Sequence, residues 1–471
     1  MSLFGDLSSA AQALTVQSQG VALAGKNLAN TTNPAYARQR LIIGDLGTVE
    51  TPSGPQSMGI QSLGIQQIRD GLLDAQLTRE ISNTSFWQAQ QYNLAKAQID
   101  LGVQVDRTGD SSAIGDASQT TTGIGSALND FFSNFQELSA SPTDAGAKQV
   151  LLQQAGDLVS QFNVADSRLA SLQSDITTQI GTDVNTVNGI FKSIANLNTE
   201  IQKIEITSPG AAVDLRDQRE AKLEELSQYM NFTATEIPGS HGQIQITTYD
   251  DASNPVVLVD KATPATIAFD GTTFTTGTPA VTLGLQSGSL KGALDVRDGA
   301  IQQLRDDIQT TATQFALAVN QAYNPTDATG DFFQIPPATG IIALDPNLNF
   351  NTLKTTDTGD AGANELALAV AQLATKQFST AGGDLIDGTI TGYFAKTVSG
   401  FGETLASTSD RFDDQTILQQ AVKTQRDSVS GVSQDEELTD LMKYQRAFQA
   451  NSRVINVIDS LLDVVVNGLI R

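Results

Sequence analysis

The chain of 471 residues contains no cysteine and a single histidine, His241. The lack of thiols excludes disulfide bonds, thiolate metal sites and cysteine nucleophiles, and one histidine cannot build a histidine-rich zinc site. Aromatic residues make up only 6% of the chain, and no segment has the uninterrupted apolar length of a transmembrane helix. The composition argues against a thiol enzyme, a zinc enzyme and a membrane-spanning protein.

Basic residues are also scarce. The chain has 28 Lys and Arg against 52 Asp and Glu, which gives a formal net charge of −24. That balance disfavours binding to nucleic acid or to anionic lipid, because both need basic patches. The first basic residue is Lys26, so the N-terminus lacks the positive region of a secretory signal peptide. Any export is expected to use another route.

Motifs that carry chemistry are present only in broken form. Gly284–Gly288 misses the nucleophile-elbow pattern because its serine falls one position late. Gly123–Gly125 lacks the third glycine of a dinucleotide-binding loop. Asp345 begins a run with calcium-loop spacing, but Phe350 replaces the required glycine. We therefore predict that the chain is not an enzyme and has no catalytic, cofactor-binding or metal-binding residues.

The two ends of the chain carry apolar residues seven positions apart. These residues are Leu7, Leu14, Val21 and Leu28 at the N-terminus, and Leu441, Phe448, Ile455 and Leu462 near the C-terminus. A heptad repeat of this kind predicts a helix with one narrow apolar stripe, and such a stripe needs a partner. We expect the terminal helices to pair with each other or with identical neighbouring subunits, as in an assembly protein.

The interior of the chain changes its period twice. Apolar residues in steps of three and four between 150 and 205 predict one or two very long helices in a bundle. After residue 231 the period becomes two, with a hairpin signal at Asp270-Gly271, and the helical period returns at 293. Residues 31–75 read as irregular and partly extended, with a short alternating stretch near Ile60–Ile68.

These patterns predict a mainly α fold with an inserted β domain, in the α+β class. The predicted domains are a terminal coiled-coil domain (1–60 plus 435–471), a long helical bundle domain (61–230 plus 289–434, with 323–362 as a loop or minor β element) and a small outward β domain (231–288).

A dense charged cluster lies at Asp214, Arg216, Asp217 and Arg219. The favoured interpretation is a solvated helix face with pairs such as Arg216 and Glu220. The alternative is a set of ion pairs between packed helices or subunits.

Residues 26–39 (KNLANTTNPAYARQ) resemble the N-terminal signature of bacterial flagellar rod, hook and hook-associated proteins. Asn27 and Asn30 stand at the end of the first helix, and Pro34 and Tyr36 stand in the turn that follows. The family's usual turn glycine is Ala35 here, and we expect the turn to persist with less backbone freedom. Residues 128–162, 214–219 and 433–450 are similar, in the same order, to the junction proteins of the FlgK type.

The resemblance implies a structural protein without cofactor that leaves the cytoplasm through the flagellar type III apparatus. It would form the extracellular ring that joins hook to filament. Its implied partners are copies of itself, the hook protein, a second junction protein next to the filament, and a cytosolic export chaperone. The chaperone would bind the C-terminal helix through Leu441, Phe448, Ile455 and Leu462. The alternatives are a hook or distal-rod protein of the same family and a secreted helical adhesin or effector.

Overall fold

The computed structural model describes residues 3–33, 35–51, 54–101, 123–326, 330–335, 340–360 and 362–468. Within these ranges the chain is mainly helical and carries small antiparallel sheets, so the predicted fold class is confirmed. None of the helices in the described ranges is both long enough and apolar enough to cross a bilayer.

The helices, in chain order, are α1 (Leu3–Ala29), α2 (Gly71–Leu101), α3 (Ile124–Ala140), α4 (Ala145–Glu205), α5 (Val213–Tyr229), α6 (Ser289–Val296), α7 (Gln302–Tyr323), α8 (Glu365–Gln372), α9 (Ile390–Ser430) and α10 (Gln434–Gly468). A π-helical turn, Arg297–Ile301, joins α6 to α7, and a 3₁₀ turn lies at Thr380–Gly382.

The strands are β1 (Gln39–Asp45), β2 (Thr48–Thr51), β3 (Gly54–Ser57), β4 (Ile60–Gln67), β5 (Thr233–Glu236), β6 (Ile244–Tyr249), β7 (Pro255–Asp260), β8 (Thr263–Pro264), β9 (Ile267–Phe269), β10 (Phe274–Thr276), β11 (Val281–Thr282), β12 (Phe333–Gln334) and β13 (Ala343–Leu344). They pair as β1-β4, β2-β3, β5-β6-β7-β8, β11-β10-β9 and β12-β13.

The chain divides into two compact units. The first contains Met1–Ser85, Asp183–Gly288 and Gln415–Arg471, and the second contains Phe86–Thr182 and Ser289–Asp414. The predicted scheme of three domains (1–60 plus 435–471, 61–230 plus 289–434, and 231–288) stays a prediction.

In the first unit, β1 pairs with β4, and β2 pairs with β3. We call these four strands the ribbon, and its strands β1 and β4 pack on α1. Leu41 of β1 is buried with Val16 and Leu23 of α1, and Ile60 of β4 packs against them. The β insert is fixed to α4 by two asparagine side chains. Asn188 bonds to the backbone N–H and carbonyl of Ile267, and Asn198 donates to the carbonyl of Ile244.

The second unit has an aromatic core. Phe131 of α3 lies within 6.0 Å of Phe315, Phe332 and Phe333, measured between ring centroids. Asn320 of α7 accepts from the backbone N–H groups of Phe332 and Phe333. The scarce aromatic residues are therefore concentrated where α3, α7 and the β12 segment meet.

Most predicted elements are present. Of the one or two very long helices predicted between 150 and 205, the structure has one, α4, with 61 residues. The segment 31–75, predicted as irregular and partly extended, is more ordered than expected, because it contains all four strands of the ribbon and the start of α2. The alternating stretch predicted near Ile60–Ile68 is β4, whereas the alternation of β1 is interrupted at a β-bulge, where the register shifts between Ile42 and Ile43.

Candidate assembly interface at the terminal helices

The two terminal helices, α1 and α10, pack along each other. Asn27, near the end of α1, bonds to Glu437 near the start of α10, whereas Gly20 lies against Tyr444. The helices are therefore antiparallel. A Cβ atom on Gly20 would lie 2.6 Å from the Tyr444 ring, so the ring rests directly on the backbone of α1. The pairing of the two ends, one of the two arrangements expected from the stripes, is thus present within one chain.

The predicted stripe residues are not the most buried residues of the two helices. Leu7, Leu14, Val21, Leu28, Leu441, Ile455 and Leu462 are half-buried, and Phe448 is 39% exposed. The fully buried apolar residues of the pair include Val16, Leu23 and Ile458 instead. The reason is that α1 has two partners, α10 and the ribbon. Val16 and Leu23 are themselves seven residues apart, which is the signal that could have revealed this second face.

One side of α10 remains uncovered in the chain. Val454, Val457, Leu461 and Val464 follow steps of three, four and three residues and are between 47% and 69% exposed. We call this set the outer stripe. It lies on a different face of the helix from Tyr444 and Ile458. An exposed apolar stripe of this length is typical of a protein–protein contact.

Asn27 fastens the end of α1 to three other segments. Its side-chain amide donates to the carbonyl of Gln39 at 2.9 Å and to Glu437 Oε2 at 3.0 Å. Its Oδ1 accepts from the Tyr36 hydroxyl at 2.7 Å and from the Gln39 N–H at 3.2 Å. Asn27 is 2% exposed, so the four bonds satisfy a buried amide completely.

The turn between α1 and the ribbon, residues 30–38, is called the signature turn below. Asn30 donates to the Lys26 carbonyl, and the Tyr36 N–H donates to the Asn33 carbonyl, so the expected turn persists. Pro34 lies outside the described residues. Burial raises the pKa of Tyr36, and the nearby carboxylates of Asp217 and others add to the effect. The phenol therefore stays protonated as the donor to Asn27.

Arg38 connects the signature turn to the acidic start of α10. Its guanidinium pairs with Glu437 at 2.6 Å, with Glu436 at 2.5 Å and with Asp440 at 3.3 Å. The backbone N–H of Arg38 donates to the Ser430 carbonyl. Carboxylates in the first turn of a helix also interact favourably with the helix dipole. Glu437 is 3% exposed, and Arg38 neutralises its buried charge.

Two of the four charged residues that the sequence singled out on α5, Asp214 and Asp217, bond to the N-terminal segment. Asp214 pairs with Lys26 at 2.5 Å, and Asp217 pairs with Arg69 at 2.9 Å and accepts from the Ala37 N–H. Burial alone would raise the pKa of Asp214, but the hydrogen bonds from Lys26 and Gln39 bring it below its ordinary value. Burial raises the pKa of Asp217, and Arg69 offsets only part of that rise.

The other two charged residues on α5, Arg216 and Arg219, bond to other segments of the first unit. Arg216 pairs with Glu205 of α4 at 2.8 Å rather than with Glu220, so the favoured pair is wrong. Arg219 donates to Asn198 Oδ1 at 2.9 Å and to the Gly242 carbonyl at 2.7 Å. Burial, with the charge of Arg216, lowers the pKa of Arg219 to about 10.

Asp217 and Arg219 are each 7% exposed. The interpretation of this segment as a solvated helix face is therefore wrong, and the alternative of ion pairs between packed elements describes it. In the described part of the chain, no group of three or more His, Asp or Glu side chains is arranged to hold a metal ion. The contacts described at the terminal helices hold separate segments of the chain together.

The model of the flagellar hook-associated protein FlgK helical domain matches residues 116–333, and that of the flagellar basal body rod FlgEFG protein C-terminal domain matches residues 423–468. The flagellar hook-associated protein 1 of Bacillus subtilis is 23% identical, with 99% of each chain covered. That of Escherichia coli K12 is 22% identical over 94% of this chain and 96% of the relative.

The solved FlgK hook junction protein of Burkholderia pseudomallei is 21% identical. It overlaps 53% of this chain and 43% of its own, with a TM-score of 0.44.

A helical domain and a rod-type C-terminal segment in this order define an axial protein of the bacterial flagellum. Within that class, the chain carries the FlgK helical domain and is similar over its full length to the flagellar hook-associated protein 1 of other bacteria.

Proposed function

We propose that the chain is a structural subunit of the hook–filament junction, where copies of it form a ring between hook protein and a second junction protein next to the filament. The observation that carries the proposal is the terminal helix pair. It is fastened by Asn27 and Arg38 yet leaves the outer stripe of α10 uncovered. Exposed apolar area of this kind is buried in an assembly.

The test is complementation of a strain that lacks the gene for this chain. We expect that strain to be non-motile with bare hooks, and the wild-type chain to restore filaments in electron micrographs. Val457→Asp places a charge on the outer stripe and should leave hooks bare, whereas Glu403→Gln, a surface change on α9, should restore filaments. Filament growth with Val457→Asp equal to wild type would contradict the role given to the outer stripe.

The cytosolic chaperone is a separate part of the proposal. Leu441, Ile455 and Leu462 are half-buried in the folded chain, where α1 packs along α10. A chaperone that uses these residues must bind before α1 pairs with α10, while the chain is still unfolded for type III export. The same face would therefore serve the chaperone first and the helix pair afterwards.

A pull-down with the export chaperone of the same bacterium tests this order. We expect Phe448→Asp and Ile455→Asp to lose most binding, and Val457→Asp on the outer stripe to keep it. Loss with Val457→Asp alone would place the chaperone on the outer stripe instead. Undiminished chaperone binding by both Phe448→Asp and Ile455→Asp would contradict the proposed binding face.

A further inference from the structure

A group of buried charges lies where the signature turn meets α5. Arg69, just before α2, pairs with Asp217 at 2.9 Å, with Asp74 at 3.2 Å and with Glu220 at 3.6 Å. The same guanidinium donates to the carbonyl of Ala35 in the signature turn at 2.9 Å. One cation therefore connects three carboxylates to the segment that holds the terminal helices.

Two further guanidinium groups lie near these carboxylates, one on α9 and one on α5. Arg426 of α9 pairs with Glu224 of α5 at 2.5 Å, and it also contacts the half-exposed Asp427. Arg219 lies beside Glu220 on α5, although its own bonds go to neutral acceptors.

Four largely buried carboxylates thus face three guanidinium groups, with the carboxylates of Asp74, Asp217, Glu220 and Glu224 between 8% and 19% exposed. We call these seven side chains the charge cluster. Two further charged residues lie at the edge of the cluster: Asp70, whose charge raises the pKa of Asp74, and the exposed Arg79. A buried charge without a counter-charge costs several kcal/mol, so a cluster with one excess negative charge favours uptake of a proton.

We propose that the charge cluster takes up one proton when the signature turn seats against α5, so that the turn is held more firmly in mildly acidic than in alkaline solution. Glu220 is the site of that proton, because it makes the longest of the three contacts to Arg69. Asp74 Oδ1 and Arg69 Nε, both buried, have no hydrogen-bond partner among the described residues, which fits an under-compensated cluster. Arg69, Asp74 and Glu220 line a cleft of about 850 Å³ through which the proton reaches solvent.

The pKa values of the carboxylates in the charge cluster also favour uptake of a proton. Burial raises the pKa of Glu220 to about 7, with Arg69 opposing the rise and the charges of Asp74 and Glu224 adding to it. Burial also raises the pKa values of Asp74 and Glu224, against the lowering effect of Arg69 and Arg426 respectively. A glutamate whose pKa is raised on folding stabilises the folded state at low pH, and that contribution is lost between the unfolded value of 4.5 and about 7.

Amide hydrogen exchange of the full chain tests the proposal. The Ala37 and Arg38 N–H groups bond to Asp217 and to the Ser430 carbonyl, so they report opening of the signature turn. After correction for intrinsic exchange rates, we expect these amides to open roughly twentyfold more often at pH 7.5 than at pH 5.5. In Glu220→Gln, which keeps the shape without the charge, the ratio should fall below about threefold.

The matched control is Glu225→Gln, which removes an exposed glutamate of the same helix and should keep the twentyfold ratio. Equal pH dependence in wild type and Glu220→Gln would overturn the proposal, as would an equal loss of it in Glu225→Gln. Carboxyl carbon NMR of the wild-type chain decides the matter if Glu220→Gln does not fold. One glutamate titrating near pH 7 supports the proposal, and titration of every glutamate below about pH 5.5 overturns it.

Discussion

Replacing Asn27 by alanine is the sharpest test of how the terminal helices are held. The substitution removes four hydrogen bonds, namely those of Asn27 with the Tyr36 hydroxyl, with Glu437 Oε2 and with both backbone groups of Gln39. At about 1 kcal/mol for each bond, the loss comes to roughly 4 kcal/mol, and the buried Glu437 increases it. That is a large part of the stability of an ordinary domain.

The matched control is Asn30→Ala, in the signature turn directly after α1, where the side chain bonds only to the Lys26 carbonyl near the end of α1 among the bonds described. We expect a loss of about 1 kcal/mol there.

The assay is amide hydrogen exchange of the purified full chain, compared peptide by peptide for α1, the signature turn and α10. We expect Asn27→Ala to raise the opening of α1 and the start of α10 by about 10³-fold, while α3 and α7 in the second unit stay unchanged. A double-mutant cycle with Tyr36→Phe should show coupling of about 1 kcal/mol. Equal effects of Asn27→Ala and Asn30→Ala would refute the reasoning.

Two further substitutions probe the same contact. Gly20→Ala places a Cβ 2.6 Å from the Tyr444 ring and should destabilise the helix pair by about 2 kcal/mol in exchange measurements. Gly25→Ala, whose Cβ would meet no described atom within 4 Å, should be neutral or stabilise by about 0.5 kcal/mol; the reverse order would contradict the packing. Arg38→Met leaves the buried Glu437 unpaired and should cost about 3 kcal/mol at pH 7.5, whereas Arg38→Met with Glu437→Gln should recover part of it in urea unfolding. No recovery would show that Arg38 acts through packing alone.

The helical part of the fold could be predicted from sequence because its signal is long and regular. The run from Leu151 to Ile204 repeats its apolar pattern often enough to predict α4 without any tertiary information. The hairpin at Asp270-Gly271 was equally plain, and Phe269 does pair with Phe274. In both cases, neighbouring residues carry the determining information.

The ribbon and the charge cluster could not be predicted in the same way. The ribbon is short, carries a β-bulge, and is stabilised on one face by α1 rather than by its own residues. Arg216 and Glu220 lie four positions apart, so the run that contains Asp217 and Arg219 has the pattern of a solvated helix face. Their burial depends on Arg69 and Asn198, which are distant in sequence. The candidate site was therefore recognisable in its members, while their partners were not.

The antiparallel direction of α1 and α10 has a topological consequence. The beginning of α1 and the last turns of α10 lie at the same end of the helix pair. A short flexible linker should be able to join them into a circular backbone that folds to the same helix pair. Under the proposed export of the unfolded chain, such a closed loop has no free end to enter the export channel, so it would adopt the subunit structure without being exported. Cyclisation would thereby separate the folding of this protein from its proposed export.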